Sequence, residues 1–381
     1  MEQIMDRIYD ALKRQRKEML EVLKVLVEHE SPSHNKALGD VLAGKLAEFF
    51  EELTGGRTKR IPVEGYGDFI RGEFGDGEEQ IFVVGHYDTV FPEGTLRERP
   101  FRVEGNKGYG PGIFDMKGGL TAGLFALKTL KDLHIPLGKK VVFLFNSDEE
   151  PGSLKSRPII EEEAAKSKYA LVLEPAGPGG SIKTMRKGVG RFTLDIGGKA
   201  VHSGADFTSG VSAVNELARQ ILFLSGLTDL EKGTTVNVGR VEGGTVSNVV
   251  AEWAHAEIDL RIATEEEGDR VIPQILGLKP CDPKARVEIT GGLNRPPYRR
   301  TKDVEALYLM AKDLAAKYLD FDLPEISTGG ASDGNFTALH VPTLDGLGAY
   351  GEGSHSASEN IDIDRLPERS ALIALVLANL K

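Results

Sequence analysis

The stretch IFVVGHYD, residues 81–88, decides the reading of the fold: four apolar residues and a glycine, then a histidine and an acid two positions apart. A continuous apolar run of this length suits a strand buried on both faces. Two further runs of the same kind follow, VVFLF at 141–145 and ALVL at 170–173. Between the first two, residues 117–133 open on Gly-Gly and then carry apolar residues at helical spacing. Strand, helix, strand in this rhythm predicts an α/β fold, a mostly parallel sheet flanked by helices. Ligands of such sheets sit in the loops beyond the C-terminal ends of the strands. Those loops read GHYD, NSDEE and EPAG.

Outward from this core the texture changes. Residues 183–295 hold strand-like runs at 190–196, 235–241, 252–261 and 286–289 around helical stretches at 212–225 and 265–276. That pattern predicts a separate α+β domain with an antiparallel sheet. The first pattern then resumes, with a helix over 304–318, a strand over 341–344 and a closing helix over 365–380. The expected organisation is a discontinuous catalytic domain, 1–182 and 296–381, interrupted by an inserted domain at 183–295. A chain of 381 residues is long enough for two cores.

Bulk properties narrow the function. The formal net charge of −11 disfavours nucleic acid, whose phosphates need a basic face, and a polybasic membrane anchor. The N-terminal residues Ile4, Ile8, Leu12, Met19, Val22, Leu23 and Leu26 recur at helical spacing with charges between them, which predicts a helix and not a signal peptide. No apolar run approaches the ~20 residues of a membrane span. The expectation is a cytoplasmic protein. The lone Cys281 can form no internal disulfide and no thiolate zinc site, and reads as a small buried or half-buried residue. Any metal must be held by His, Asp and Glu.

Each candidate ligand has a plain alternative when taken singly. His86 and Asp88 point the same way on an extended chain, so one can ligate while the other orients it; a surface pair is the alternative. Asp115, in GYGPGIFDMKGGL, is surrounded by five glycines and precedes a helix, so it could merely cap that helix. Glu149 and Glu150, in NSDEEPGS, could form a solvated acidic turn; in a buried cleft such adjacent acids need a cation. Glu174 ends a buried run, where an unpaired charge is costly, and His355 sits in the small-residue loop GEGSHSASENI. The conjunction is what points to metal: several strands of one sheet each deliver an acid or a histidine at the same edge. Such oxygen and imidazole donors, without thiolate, suit zinc or a similar divalent ion.

The order GHYDTV, GPGIFDMKGG, NSDEEPGS, LEPA, VHSG and GSHSASENI resembles the M20 metallopeptidases, especially the glutamate carboxypeptidase (carboxypeptidase G2-like) branch, over nearly the whole chain. The resemblance implies two zinc ions per subunit, with Co2+ or Mn2+ as possible substitutes, and an inserted domain acting as a lid and making a homodimer. Asp115 would bridge the metals, His86 and Glu174 would complete one site, and Glu150 and His355 the other. Asp88 would support His86, and Glu149 would be the general base. His202, in AVHSG, would reach across the dimer to stabilise an oxyanion. Asn248, Arg295, Gly330 and Ser332 fall where carboxypeptidase-like members hold a substrate carboxylate; turn, surface or ordinary loop roles are the alternatives. Pro111, Ser203 and Phe91 stand where the family often has Arg, Ala and Pro. None of the three is a ligand, so these departures bear on substrate preference. The expected reaction is metal-dependent cleavage of a C-terminal peptide or N-acyl amino acid bond beside a free carboxylate. Deacylation of acetylornithine or succinyl-diaminopimelate type is the alternative, and a non-catalytic binding protein on the same fold the remote one.

Overall fold

The computed structural model describes residues 2–380. The chain forms two compact units. The first runs to Met185 and includes Arg299–Ser327 and everything from Ser332 onward; the second is Arg186–Tyr298 together with Thr328–Ala331.

The first unit is built on a six-stranded sheet in the order Arg57–Ile61, Phe69–Phe74, Lys140–Asn146, Gln80–His86, Ser167–Val172, Thr343–Leu344. The first two pairings are antiparallel and the remaining three are parallel. Period-two alternation divides each apolar run between two cores. Ile81, Val83, Val141, Phe143 and Leu171 join the helices Glu2–Glu28, Lys36–Thr54, Gly118–Asp132 and Leu366–Asn379. Phe82, Val84, Val142, Leu144 and Val172 face the other way, against Ile160 and Ala164 of Arg157–Ala165 and against Phe336. Fully burying side chains of this size stabilises by roughly 1.5–3 kcal/mol each, which is why residues 81–84, 141–145 and 170–172 of these strands carry no polar side chain. The Gln80–His86 strand lies between its two parallel neighbours: the chain crosses from it to Lys140–Asn146 on one side, then back past it to Ser167–Val172 on the other. A crevice opens beyond the strand ends at such a switch point.

One predicted strand is shorter than expected. Of residues 341–344 only Thr343–Leu344 is strand. Pro342 has no N–H to give the ladder, though its carbonyl accepts from Ala170 N at 3.0 Å, and Val341 N still bonds back to Thr337 O at 3.1 Å as part of the preceding turn.

Asp68 anchors the segment leading into the second strand. It accepts from Lys36 Nζ (2.5 Å), Arg60 Nε (2.7 Å) and Val63 N (3.0 Å). Burial works against its charge, but these three donors outweigh it and hold the carboxyl down at about 2. A depressed carboxylate adds stability above its unfolded pKa of 3.8 and loses it as pH falls toward 2. Lys36 and Arg60 are themselves half-exposed, so screening reduces the effect to about 1–2 kcal/mol. Asp68→Asn should therefore lower unfolding free energy by that amount at pH 5 and above. Denaturant titrations should show the gap closing between pH 4 and pH 2; a gap that persists at pH 2 would remove the ionic explanation.

The second unit is a four-stranded antiparallel sheet, Thr235–Gly243, Trp253–Ile262, Gly188–Gly197, Arg286–Arg295. Alternate residues such as Leu194, Ile196, Ala256, Ile258 and Leu260 bury against Leu217 and Leu224 of the helix Ala213–Ser225 and against Val271 and Ile275 of Glu265–Leu276. Cys281 is exposed, not buried or half-buried as expected of a lone cysteine. The turn that carries it is fastened through its backbone, with Cys281 N and Asp282 N both donated to the buried Glu216 carboxylate at 2.8 and 3.0 Å. Its side chain is therefore left at the surface. No helix among the described residues is long and apolar enough to cross a membrane.

Candidate metal centre

His86 is the last residue of its strand and is 1% exposed. Its Nδ1 lies 3.1 Å from the Asp88 carbonyl and 3.4 Å from Asp88 Oδ1. That arrangement turns Nε2 toward Asp115 Oδ1 (3.2 Å) and Glu174 Oε1 (3.5 Å). Asp88 does more than face the ring: it accepts from Ser33 Oγ at 2.7 Å and from the backbone N–H groups of Glu149 (3.2 Å) and Glu150 (3.3 Å). One buried carboxylate thus fixes both the histidine and the acidic loop.

Asp115 is not a helix cap: the helix Gly118–Asp132 is capped at Lys117 with no side-chain bond, and the Asp115 carboxylate faces two histidines instead. Oδ1 faces His86, while Oδ2 lies 3.4 Å from His355 Nε2. His355 Nε2 is in turn 3.1 Å from Glu150 Oε2. The loop around Asp115 needs glycine for two different reasons. Gly112 has φ +71°, a left-handed conformation that other residues resist. A Cβ on Gly119 would collide with the Leu173 carbonyl, so only glycine lets this helix start pack against the strand end that carries Glu174.

Glu359, which the sequence reading passed over, organises the same loop. It is 2% exposed and accepts from Gly112 N, Phe114 N and Asp115 N, each at 2.9 Å. Burial pushes its carboxyl up to about 7 against the pull of those three donors. The available signal was an acid four residues beyond His355 in a small-residue loop. Arg99 steadies that loop from outside, donating to Ser356 O at 3.1 Å while its guanidinium lies 4.4 Å from the ring centre of Phe91. Phe91, one of the departures noted above, is therefore the platform for a residue that holds the His355 loop.

Five carboxylates, Asp88, Asp115, Glu149, Glu150 and Glu174, gather around the two imidazoles. Burial opposes a charged His86, yet Asp115, Asp88 and Glu174 raise its pKa well above the ordinary value. Bonds from Asp115 and Glu150 lift His355 to about 10. Burial disfavours charge on Asp115, but His355 and His86 together hold it well below the carboxylate range. Burial pushes Glu150 up. Carboxylates and imidazoles gathered this closely suit a bound cation. Donor atoms of His86, Glu149 and Glu174 converge within 4.8 Å of one another, and so do those of His86, Asp115 and Glu150.

Of the remaining predicted residues, His202, Asn248, Arg295 and Gly330 belong to the second unit and Ser332 to the first. His202 and Asn248 are neighbours in the second unit: His202 bridges to Val249, and Ser203 N donates to Asn248 O at 3.0 Å. His202 Nδ1 accepts from Gly204 N at 3.1 Å, so a neutral ring carries its proton on Nε2. Arg295, at the end of its strand, is 4% exposed. The Gly330 carbonyl accepts from Arg186 Nη1 at 3.2 Å. Ser332 is wholly buried and gives its hydroxyl to Asp345 Oδ2 at 2.5 Å.

A cluster of carboxylates and imidazoles at the C-terminal ends of a mostly parallel sheet, built without sulfur, is a donor set that could hold a divalent metal. The chain belongs to peptidase family M20/M25/M40, whose profile matches residues 82–379. It is 32% identical to carboxypeptidase G2 of Pseudomonas sp. (strain RS-16), over 90% of this chain and 84% of that protein. It is 26% identical to a succinyl-diaminopimelate desuccinylase of Psychrobacter sp. (strain PRwf-1), over 91% of each chain. The crystal structure of aminopeptidase PepT from Bacillus cereus superposes with a TM-score of 0.82, covering 95% of this chain and 98% of that one at 23% identity, which supports the fold. The chain is thus an M20 metallo-hydrolase of peptide or acyl-amino acid bonds.

Proposed function

We propose that the protein hydrolyses the amide bond of a C-terminal peptide or N-acyl amino acid that bears a free carboxylate beside the scissile bond. The observation that carries this reading is the Asp115 carboxylate, whose two oxygens face two different histidines, His86 at 3.2 Å and His355 at 3.4 Å. Each ring has a further acid of its own, Glu174 for His86 and Glu150 for His355. Asp115 would bridge two ions held by these pairs. The all-oxygen-and-imidazole donor set suits Zn2+, and also Co2+ or Mn2+. When bound, such a pair supplies Lewis acidity to the scissile carbonyl and acidifies water.

The chain's own residues do the rest. Glu149 takes the proton of the attacking water and delivers it to the leaving nitrogen. Asp88 aims its loop by accepting Glu149 N and Glu150 N. His202, protonated on Nε2, donates to the developing oxyanion. In this reading the segment 183–295 is a lid that also forms a homodimer, and His202 serves the partner's site. The exposed Leu222, Phe223, Val241 and Trp253 of the second unit supply apolar surface for such pairing. Arg295 offers a planar fork for the substrate carboxylate. Asn248 and the Gly330 loop complete that contact, with Ser332 bracing the loop from below through Asp345. The lone cysteine is in keeping with a cytoplasmic enzyme.

The second reading, deacylation of an N-acyl biosynthetic intermediate, is favoured by the desuccinylase relative. A panel of dipeptides, N-acyl glutamates, N-acetylornithine and N-succinyl-diaminopimelate, assayed with Zn2+, Co2+ and Mn2+, separates the two. The proposal expects kcat/KM to be highest on substrates with an α-carboxylate next to the scissile amide, and to fall by about 2–3 kcal/mol of transition-state binding when that carboxylate is amidated. Equal rates on the amidated substrates would overturn it.

A further inference from the structure

We propose that Asp333 is a positioning residue for catalysis, a clamp that holds both ends of the loop bearing Glu149 and Glu150. The inference rests on the proposed role of Glu149 as proton carrier. Residues 146–153 form a short loop with three consecutive acids, Asp148, Glu149 and Glu150, whose mutual repulsion drives them apart. Asp88 fastens the middle of this loop. Its ends converge on one carboxylate 180 residues later in the chain. Asn146 Nδ2, at the end of its strand, donates to Asp333 Oδ2 at 2.8 Å. Ser153 Oγ donates to Asp333 Oδ1 at 2.5 Å.

The backbone at Ser153 shows what this contact is for. Ser153 has φ +58°, a left-handed conformation that costs a non-glycine residue on the order of 1 kcal/mol. Gly152 is the preceding residue, so the chain uses glycine nearby and yet places serine at the strained position. What serine has and glycine lacks is the hydroxyl, and the hydroxyl is on Asp333. The tight turn is closed by Ser153 N on Asp148 O at 2.6 Å and Gly152 N on Glu149 O at 2.8 Å, so the orientation of Ser153 is passed to the two glutamates. Asn146 and Ser153 are wholly buried and Asp333 is 3% exposed. Bonds to a carboxylate are strong in such surroundings, and losing one leaves a buried polar group unmet.

The anchor is itself well fixed. Asp333 O accepts from Phe336 N and Thr337 N at 3.0 and 3.2 Å, while the adjacent Ser332 is tied to Asp345 and, through its N–H, to Asn335 Oδ1 at 2.9 Å. Asp333 therefore acts on the reaction through Ser153 and Asn146.

The test compares Ser153→Ala, Asp333→Asn, their double variant and Glu149→Gln with the full-length, metal-loaded protein. The clamp predicts that Ser153→Ala and Asp333→Asn each lower kcat about tenfold or more, with KM within about twofold and metal content unchanged. The double variant should cost little more than the worse single one, because both break the same link. Hydrogen exchange on the metal-free protein gives a readout independent of turnover: exchange should accelerate in residues 146–153 and stay unchanged in the neighbouring strands. Variants with lowered melting temperature but unaltered kcat per bound metal and unaltered local exchange would overturn the proposal, as would fully additive losses. Should Asp333→Asn not fold, Ser153→Ala carries the test alone. A fully active Glu149→Gln would instead sink the proton-carrier reading, while the exchange result would still decide whether the clamp exists.

Discussion

Glu149→Gln is expected to lower kcat by roughly 10²–10⁴-fold, the range a positioned proton carrier contributes, while bound metal and KM stay near their wild-type values. Glutamine keeps the shape and the backbone, so the N–H group that Asp88 accepts from residue 149 is untouched. Only the capacity to take and return a proton is removed. The metal measurement matters because a Glu149 oxygen can approach the donors of His86 and Glu174 within 4.8 Å, the spacing of a ligand as well as of a base. Elemental analysis beside the rate distinguishes the two. Loss of one equivalent of metal with the activity would make Glu149 a ligand and leave the base unassigned. Unchanged turnover would remove it from the chemistry altogether.

The second large effect is expected at Asp115. Its two carboxylate oxygens each face a histidine, so Asp115→Ala should empty both proposed metal positions and depress kcat/KM by more than about 100-fold, above what loss of a single supporting partner costs. In the proposed arrangement His355→Ala would remove a ligand from one position only, leaving His86 with Glu174 to hold an ion. The expected pattern is near-complete metal loss in the first variant and partial loss in the second, read by elemental analysis after gel filtration. Thermal stability provides a cross-check: added Zn2+ should raise the melting temperature of wild type more than that of His355→Ala, and hardly at all in Asp115→Ala, since a ligand stabilises only a fold that binds it. Asp115→Ala retaining full metal would refute the bridge.

Much of the architecture could be read from the chain because burial leaves a simple trace. Runs such as 81–84 and 141–145 can be apolar throughout only if both faces are covered, and the first polar residues after them mark the sheet edge where His86 and the Glu149–Glu150 loop stand. Asp115 was ambiguous for a physical reason: an acid before a helix has the same local sequence whether it caps the helix or turns away from it, and only the tertiary setting of His86 and His355 distinguishes the two. Asp333 left no local trace, and Glu359 left only its place in the small-residue loop after His355. Their partners are backbone amides and short polar side chains from loops more than 170 residues away in the chain, and nothing in a nearby spacing encodes that. Pro342 did carry a local warning, and the strand at 341–344 was read longer than a missing N–H permits.

The first unit is made of chain segments on either side of the second, and this has a consequence for biosynthesis. A ribosome releases His86, Asp115, Glu150 and Glu174 well before His355 and Glu359, with the whole of Arg186–Tyr298 in between. Until the C-terminal segment emerges, the nascent sheet edge presents a pocket of acids lacking one imidazole and the carboxylate that organises the Asp115 loop. The closure entropy of so long an excursion grows only slowly with its length, so the wait is set by translation and not by the search. In the proposed two-metal reading, the position that needs His355 could be completed only at the end of synthesis, after the one built on His86 and Glu174.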